Sequence, residues 1–205
     1  RSNKFRLGLL ILIEIGIIWI YITPVISRDS PGFPLDDSWI YGVFVRNFVS
    51  SGEIAFNPGR PSVGFASSRW FLLRSLGQAL GLSPVWWPVF LGVISQIVLS
   101  SATGPLFYRF LTGRPDEGCA GEVFNLDSAG PARLLAFAAS LLVLICGPLI
   151  WYSLSGMETT AFMAVGLLAI LFLNKGRYGW AGLFLGMLII TRIEGMALWG
   201  ISFLY

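Results

Sequence analysis

The 205-residue sequence has no histidine, only two cysteines and few charges, with 12% of its residues Asp, Glu, Lys or Arg. Without histidine there is no Ser-His-Asp triad, no imidazole acid–base pair and no histidine metal ligand. Cys119 lies in a polar loop and Cys146 in an apolar run, with no CxxC or zinc spacing, so neither a disulfide nor a zinc site is expected. The net charge of +3, from 14 basic and 11 acidic residues scattered along the chain, is too small to imply nucleic acid. No internal repeat or low-complexity segment is present.

Apolar residues take the place of charge. They make up 55% of the chain, and the mean hydropathy is +0.74. Ordinary globular chains are about 45–50% apolar and about 25% charged, so these figures argue against a soluble or disordered chain. Crossing a bilayer takes roughly 20 apolar residues, which leaves room here for about five or six passes. The expected fold class is all-α, a polytopic transmembrane helical bundle. The chain begins at Arg1 without an initiator methionine and stops at Tyr205 within an apolar run, as a fragment would.

The first apolar run, residues 7–25, follows Arg1, Lys4 and Arg6 and lacks a small-x-small cleavage pattern, so it reads as an uncleaved signal-anchor helix with a cytoplasmic N-terminus. Glu14 within it either faces protein or snorkels to the interface. The polar stretch 27–68 then falls on the outer face. Inside it, Ile40, Val43, Phe44 and Phe48 repeat at helical spacing, Asp37 suits an N-cap and Gly52 a stop, which predicts an amphipathic surface helix over 37–51. Residues 56–59 (Phe-Asn-Pro-Gly) read as a turn.

Residues 66–82 are apolar but interrupted by Arg69 and Arg74, and are read as interfacial or re-entrant. Residues 85–205 carry the further spans: 85–108, 134–152, 159–173, 178–190 and a truncated 196–205. Arg109, Arg114, Arg133, Lys175 and Arg177 mark the cytoplasmic loops, although Asp116, Glu117, Glu122 and Asp127 dilute that signal. Trp86, Trp87 and Trp180 read as interface belt residues. With this topology three polar clusters share the outer face: Asp36-Asp37, residues 153–160 and residues 191–195. Polar groups converging over an apolar groove suit an enzyme acting on a lipid-linked substrate.

Of two adjacent carboxylates, one can accept a proton from an attacking hydroxyl while the other holds a divalent metal or orients the first. The plainer reading of Asp36-Asp37 is a helix cap with favourable charge at the helix N-terminus. Arg46, nine residues beyond Asp37, lies on the opposite side of that helix, facing either a substrate phosphate or a lipid head group. Arg69 and Arg74, costly in an apolar segment, call for an anion, and phosphate is the favoured partner. Arg192 and Glu194, between two spans, read as an interfacial anchor and its neighbour.

Several of these segments resemble a known family. Asp36-Asp37-Ser38-Trp39-Ile40, Arg46-Asn47, Gly52, Phe56-Asn57-Pro58-Gly59, Gly64-Phe65 and Trp70 resemble the first outer loop of the polyprenyl-phosphate-sugar-dependent glycosyltransferases of the C-type membrane fold, in the bacterial mannosyl- and arabinosyltransferase-like branch. Residues 152–159 (Tyr-Ser-Leu-Ser-Gly-Met-Glu-Thr) resemble that family's S-G-M-E-T segment, and 188–195 (Leu-Ile-Ile-Thr-Arg-Ile-Glu-Gly) its L-T-R-P-E-G segment.

The resemblance implies an inverting transfer of a sugar from a polyprenyl-phosphate donor to an acceptor hydroxyl, outside a bacterial inner membrane. It maps the general base to Asp36 or Asp37, with Asp36 preferred and Asp37 supporting or capping. It makes Arg46, Arg69 and Arg192 the candidates to grip the carrier phosphate, and Asn57, Glu158 and Glu194 candidates for substrate binding. No metal ligand is assigned, although a divalent metal is compatible with the carboxylates. Residues 57–60 end in Arg60 where relatives have Glu, and Arg69 stands where they have Pro. The alternative is a non-catalytic scaffold subunit that keeps the same helices, contacts membrane lipids and joins partner membrane subunits in a larger complex.

Overall fold

The computed structural model describes residues 8, 12, 13, 15–20, 23, 32–113 and 130–202. The described residues of 7–25 are helical. The rest of that expected anchor, Glu14 included, lies outside the described residues, as do Cys119 and the charges of 114–129.

Beyond residue 32 the described chain is all-α. Its helices are α1 (Asp36–Ser51), α2 (Ser68–Ala79), α3 (Trp86–Thr112), α4 (Pro131–Ile145), α5 (Gly147–Leu154), α6 (Thr159–Asn174), α7 (Tyr178–Thr191) and α8 (Gly195–Ser202). Among these, α3 is long and apolar enough to cross a membrane, and α4 with α5 would form a second span if the bent pair is one span. The expected spans at 159–173 and 178–190 are apolar helices of 16 and 14 residues, below the roughly 20 needed for a perpendicular crossing.

The bundle turns on α3. Tyr108 packs with Ala136, Gln96 Nε2 donates to the Val143 carbonyl at 2.8 Å, and Gly92 lies against Ser153. The pair α4–α5 therefore runs antiparallel to α3. α6 runs back alongside α3, and Arg109 near the end of α3 donates to the Asn174 carbonyl at the end of α6. The tight turn at 175–177, with Gly176 at φ 66°, reverses the chain into α7. One end of the bundle thus gathers Arg109, Arg133, Lys175 and Arg177. At the other end lie the 153–158 and 191–195 segments with α1 and α2, and every described acidic residue belongs to those segments or to the loop after α1.

The span expected over 134–152 is broken instead, bent by 50° between α4 and α5. Pro148 lacks the N–H that would pair with the Leu144 carbonyl in an unbroken helix, and its ring would crowd that carbonyl. Cys146 at the break is extended, with ψ 105°. The Gln96 bond to Val143 takes up one of the carbonyls that the break leaves without a helical partner.

The surface helix forms as α1, stopped by Gly52 at φ 76°, a left-handed conformation that glycine adopts without steric cost. Two details differ from expectation. The N-cap is Leu35, not Asp37, so Asp36 and Asp37 both sit in the first turn with no side-chain cap bond. The buried face holds Ser38, Tyr41, Phe44, Val45 and Asn47, and it packs on α2 through Trp70 and Phe71 and on Ala161 of α6. Ile40, Val43 and Phe48 are only half-buried.

α2 has 12 residues, too short to cross a bilayer. Ser67 caps it by accepting from the Trp70 N–H at 3.1 Å. Trp87, expected in an interface belt, instead donates from Nε1 to the Leu73 carbonyl at 2.8 Å and lies over Gly77.

Candidate functional site

A cavity of about 210 Å³ opens at the acidic end, lined by residues of α1, the 64–66 loop, the 157–158 loop and Arg192. Helical periodicity explains the α1 contribution: Asp37, Ile40 and Tyr41 are spaced i, i+3, i+4 and share one face. Phe65 closes a second wall, its ring stacked on Phe71 at 4.5 Å between centroids.

The 155–158 turn is held from three sides. Ser38 Oγ donates to the Ser155 carbonyl at 2.6 Å, and Trp70 Nε1 donates to the Gly156 carbonyl at 2.9 Å. Gly156 is left-handed at φ 76°, and a Cβ there would come within 2.3 Å of the Phe33 ring. That turn delivers Glu158 to the cavity wall with only 1% of its surface exposed. Glu158 Oε1 pairs with Arg192 Nη1 at 3.4 Å, whereas Oε2 is buried without a hydrogen-bond partner. Arg192 also pairs with the exposed Glu194, Nη2 to Oε1 at 3.2 Å.

Burial pushes the Glu158 carboxyl above its ordinary range, a tendency that Arg192 opposes and Asp37 reinforces. Burial followed by the charge of Glu158 pushes Tyr41 up as well, while its hydroxyl accepts the Ser67 N–H at 2.9 Å. Arg192 is raised chiefly by its bond to Glu194, and the same bond lowers Glu194.

The raised Glu158 has a pH consequence. The folded state retains a proton that the unfolded chain has lost, so that contribution is full below the ordinary value of 4.5 and disappears as pH rises through the folded pKa. Glu158→Gln is therefore expected to melt above the parent chain at neutral pH, the gap closing as pH falls toward the ordinary value. Circular dichroism melts across that range would show it, and a constant gap would contradict it.

The sequence candidates divide by position. Asp37, Glu158 and Arg192 meet at the cavity, and Glu194 joins through Arg192. Asp36 and Asp37 are both exposed, and of the two Asp37 is the one that lines the cavity, whereas Asp36, preferred as base from the sequence, does not. Arg69 donates to Thr191 Oγ1 at 2.9 Å, beside Arg192 in the chain, with burial lowering its pKa. Arg46 is exposed on the far side of α1, and Asn57 is exposed in its turn, where its carbonyl accepts the Arg60 N–H. Neither reaches the cavity.

Arg74, expected to meet phosphate, instead donates to the Ser38 carbonyl at 2.9 Å and lies over the Phe33 and Tyr41 rings. It is buried, and burial lowers its pKa to about 10. Tyr41, Phe65 and Met157 were not among the sequence candidates, although Tyr41 stands one helical turn beyond Asp37. Asn47 holds the loop rather than a ligand, donating to the Ala55 and Phe56 carbonyls.

Among the described residues no three carboxylate or cysteine side chains gather to hold a metal. Asp37 and Glu158 alone do not make a protein-built metal centre, and no chemical step here is routed through one. Compared with known proteins, the chain matches no family model, no curated protein and no solved structure.

Proposed function

We propose that this chain is a polytopic membrane protein that transfers a sugar from a polyprenyl-phosphate carrier to an acceptor hydroxyl at the acidic end of its bundle. The observation that carries this reading is the cavity itself, where Asp37 and Tyr41 of α1, Glu158 and Arg192 meet from three separate segments. The cationic opposite end supports a cytoplasmic placement for Arg109, Lys175 and Arg177, which puts the cavity outside. α6, packed on α3, and α7, packed on α6, are then short spans.

In this reaction the acceptor oxygen attacks the anomeric carbon as the bond from that carbon to the carrier phosphate breaks, inverting the configuration. Asp37 takes the hydroxyl proton, and the carrier phosphate leaves with the bonding electron pair. Positive charge is needed where that phosphate becomes more negative, and Arg69 supplies it beside the cavity, Arg192 being held by Glu158 and Glu194. A general base of this kind is worth about 10²–10⁴ in rate.

The test is transfer by the chain in lipid nanodiscs, given a panel of polyprenyl-phosphate sugars and membrane lipid acceptors, with the new glycolipid read by mass spectrometry. Product with inverted anomeric configuration is expected. Failure across the panel, together with copurification of a stoichiometric membrane partner, would favour the scaffold reading.

A further inference from the structure

We propose that the cavity seats the sugar ring and not the carrier phosphate, with Glu158 Oε2 accepting a hydrogen bond from one ligand hydroxyl. This rests on the glycosyl-transfer reading of the same site and names which part of the substrate occupies it. Three observations carry it.

The first is the free oxygen. Glu158 is 1% exposed and its Oε2 has no hydrogen-bond partner. A buried carboxylate oxygen left unsatisfied is costly, and only a donor can satisfy it; the Tyr41 hydroxyl acts on this carboxyl but makes no hydrogen bond to Oε2. Sugar hydroxyls are donors; a phosphate diester has none to offer.

The second is the charge of the wall. Asp37 and Glu158 both line the cavity, and Arg192 is the lining cation. Arg192 already spans Glu158 and Glu194. A phosphate inside would face two carboxylates while competing for a guanidinium that two others hold. Arg69, tied to Thr191 outside the lining, is the cation that can meet the phosphate without that repulsion.

The third is size and surface. At about 210 Å³ the cavity is smaller than the roughly 300–1,000 Å³ of drug-sized pockets, which suits a single ring. The rings of Tyr41 and Phe65 offer the apolar face of a sugar a wall, while the carboxylates meet its hydroxyls.

The experiment uses the chain in nanodiscs and methyl glycosides of mannose, arabinose, glucose and galactose as probes, with binding read by saturation-transfer NMR. For the glycoside that binds, a series lacking one hydroxyl at a time is compared on the parent chain and on Glu158→Gln. One deletion is expected to weaken parent binding about tenfold, the scale of a hydrogen bond to a charged group. The same deletion should cost Glu158→Gln far less, since its amide no longer offers a charged acceptor. A large excess of inorganic phosphate should leave glycoside binding unchanged.

Equal sensitivity of the two chains to every deletion, displacement by phosphate, or no glycoside bound would overturn the proposal. If Glu158→Gln loses its fold, Tyr41→Phe with the same phosphate competition still tests which group occupies the cavity. Transfer activity with phosphate-displaceable glycoside binding would sink this inference alone, whereas absence of transfer with any donor would sink the reading beneath it.

Discussion

Asp37→Asn is expected to lower sugar transfer by about two to four orders of magnitude, while Asp36→Asn leaves the rate close to that of the parent. The difference comes from one helical step. Both aspartates are exposed, but Asp37 shares the cavity face of α1 with Ile40 and Tyr41, whereas Asp36 is turned about 100° away and does not line the cavity. Asparagine keeps the shape of aspartate but cannot take up the acceptor's proton. Neither carboxylate makes a cap bond, so each substitution removes only a first-turn charge worth about 0.3–1 kcal/mol, and both variants should melt close to the parent. Initial rates with labelled donor, taken beside melting curves, check this. An active Asp37→Asn beside a silent Asp36→Asn would exchange the two assignments.

Gly92→Ala is expected to destabilise the bundle by about 1–3 kcal/mol or more and to disturb the cavity as well. A Cβ at position 92 would stand 2.0 Å from the Ser153 carbonyl oxygen. That obstacle is backbone, which cannot rotate aside as a side chain would. α3 and α5 would have to separate, and Ser153 is two residues from the Ser155–Glu158 turn. The loss should therefore appear in melting temperature and in glycoside affinity together. Gly182→Ala is the control: Gly182 is exposed on α7, with nothing within 4 Å of its would-be Cβ. Exchanging glycine for alanine there should be neutral or add up to about 1 kcal/mol. A Gly92→Ala chain as stable as the control would mean that the α3–α5 contact is looser than described.

Much of this architecture could be read from local sequence because its causes are local. Gly52 ends α1, the Asn174-Lys175-Gly176-Arg177 turn separates two helices, and Gly81 and Pro84 follow the end of the 12-residue α2. The meeting of 36–37, 153–160 and 191–195 also followed from counting reversals, since alternate ends of successive helices lie together. The break at Cys146 left a signal in Gly147-Pro148, but an uninterrupted apolar run masked it.

Other features depend on partners distant in sequence. Arg74 looked like a cation in search of an anion, yet the Ser38 carbonyl and two aromatic rings hold it. Nothing in the residues around Arg74 indicates Ser38. Asp37 looked like a cap because helix starts are defined to within a residue or two. With Leu35 in that position, its carboxylate is left to the cavity. Asn57 and Arg46 belong to the segments that carry the family resemblance, but position in a motif is not position at a site.

The cavity's walls also impose an order on its making. Asp37 leaves the ribosome early, Glu158 much later, and Arg192 only after α7 is complete. Until then a nascent chain that had folded α1 against the 155–158 turn would enclose the Glu158 carboxylate without its ion-pair partner. The early helices therefore gain little by docking ahead of α7, and the site closes as a late, cooperative event. A chain arrested before Arg192 should insert its first helices yet remain open to proteases at the 155–158 turn, which is largely buried in the finished chain, with protection arriving abruptly once α7 and Arg192 have emerged.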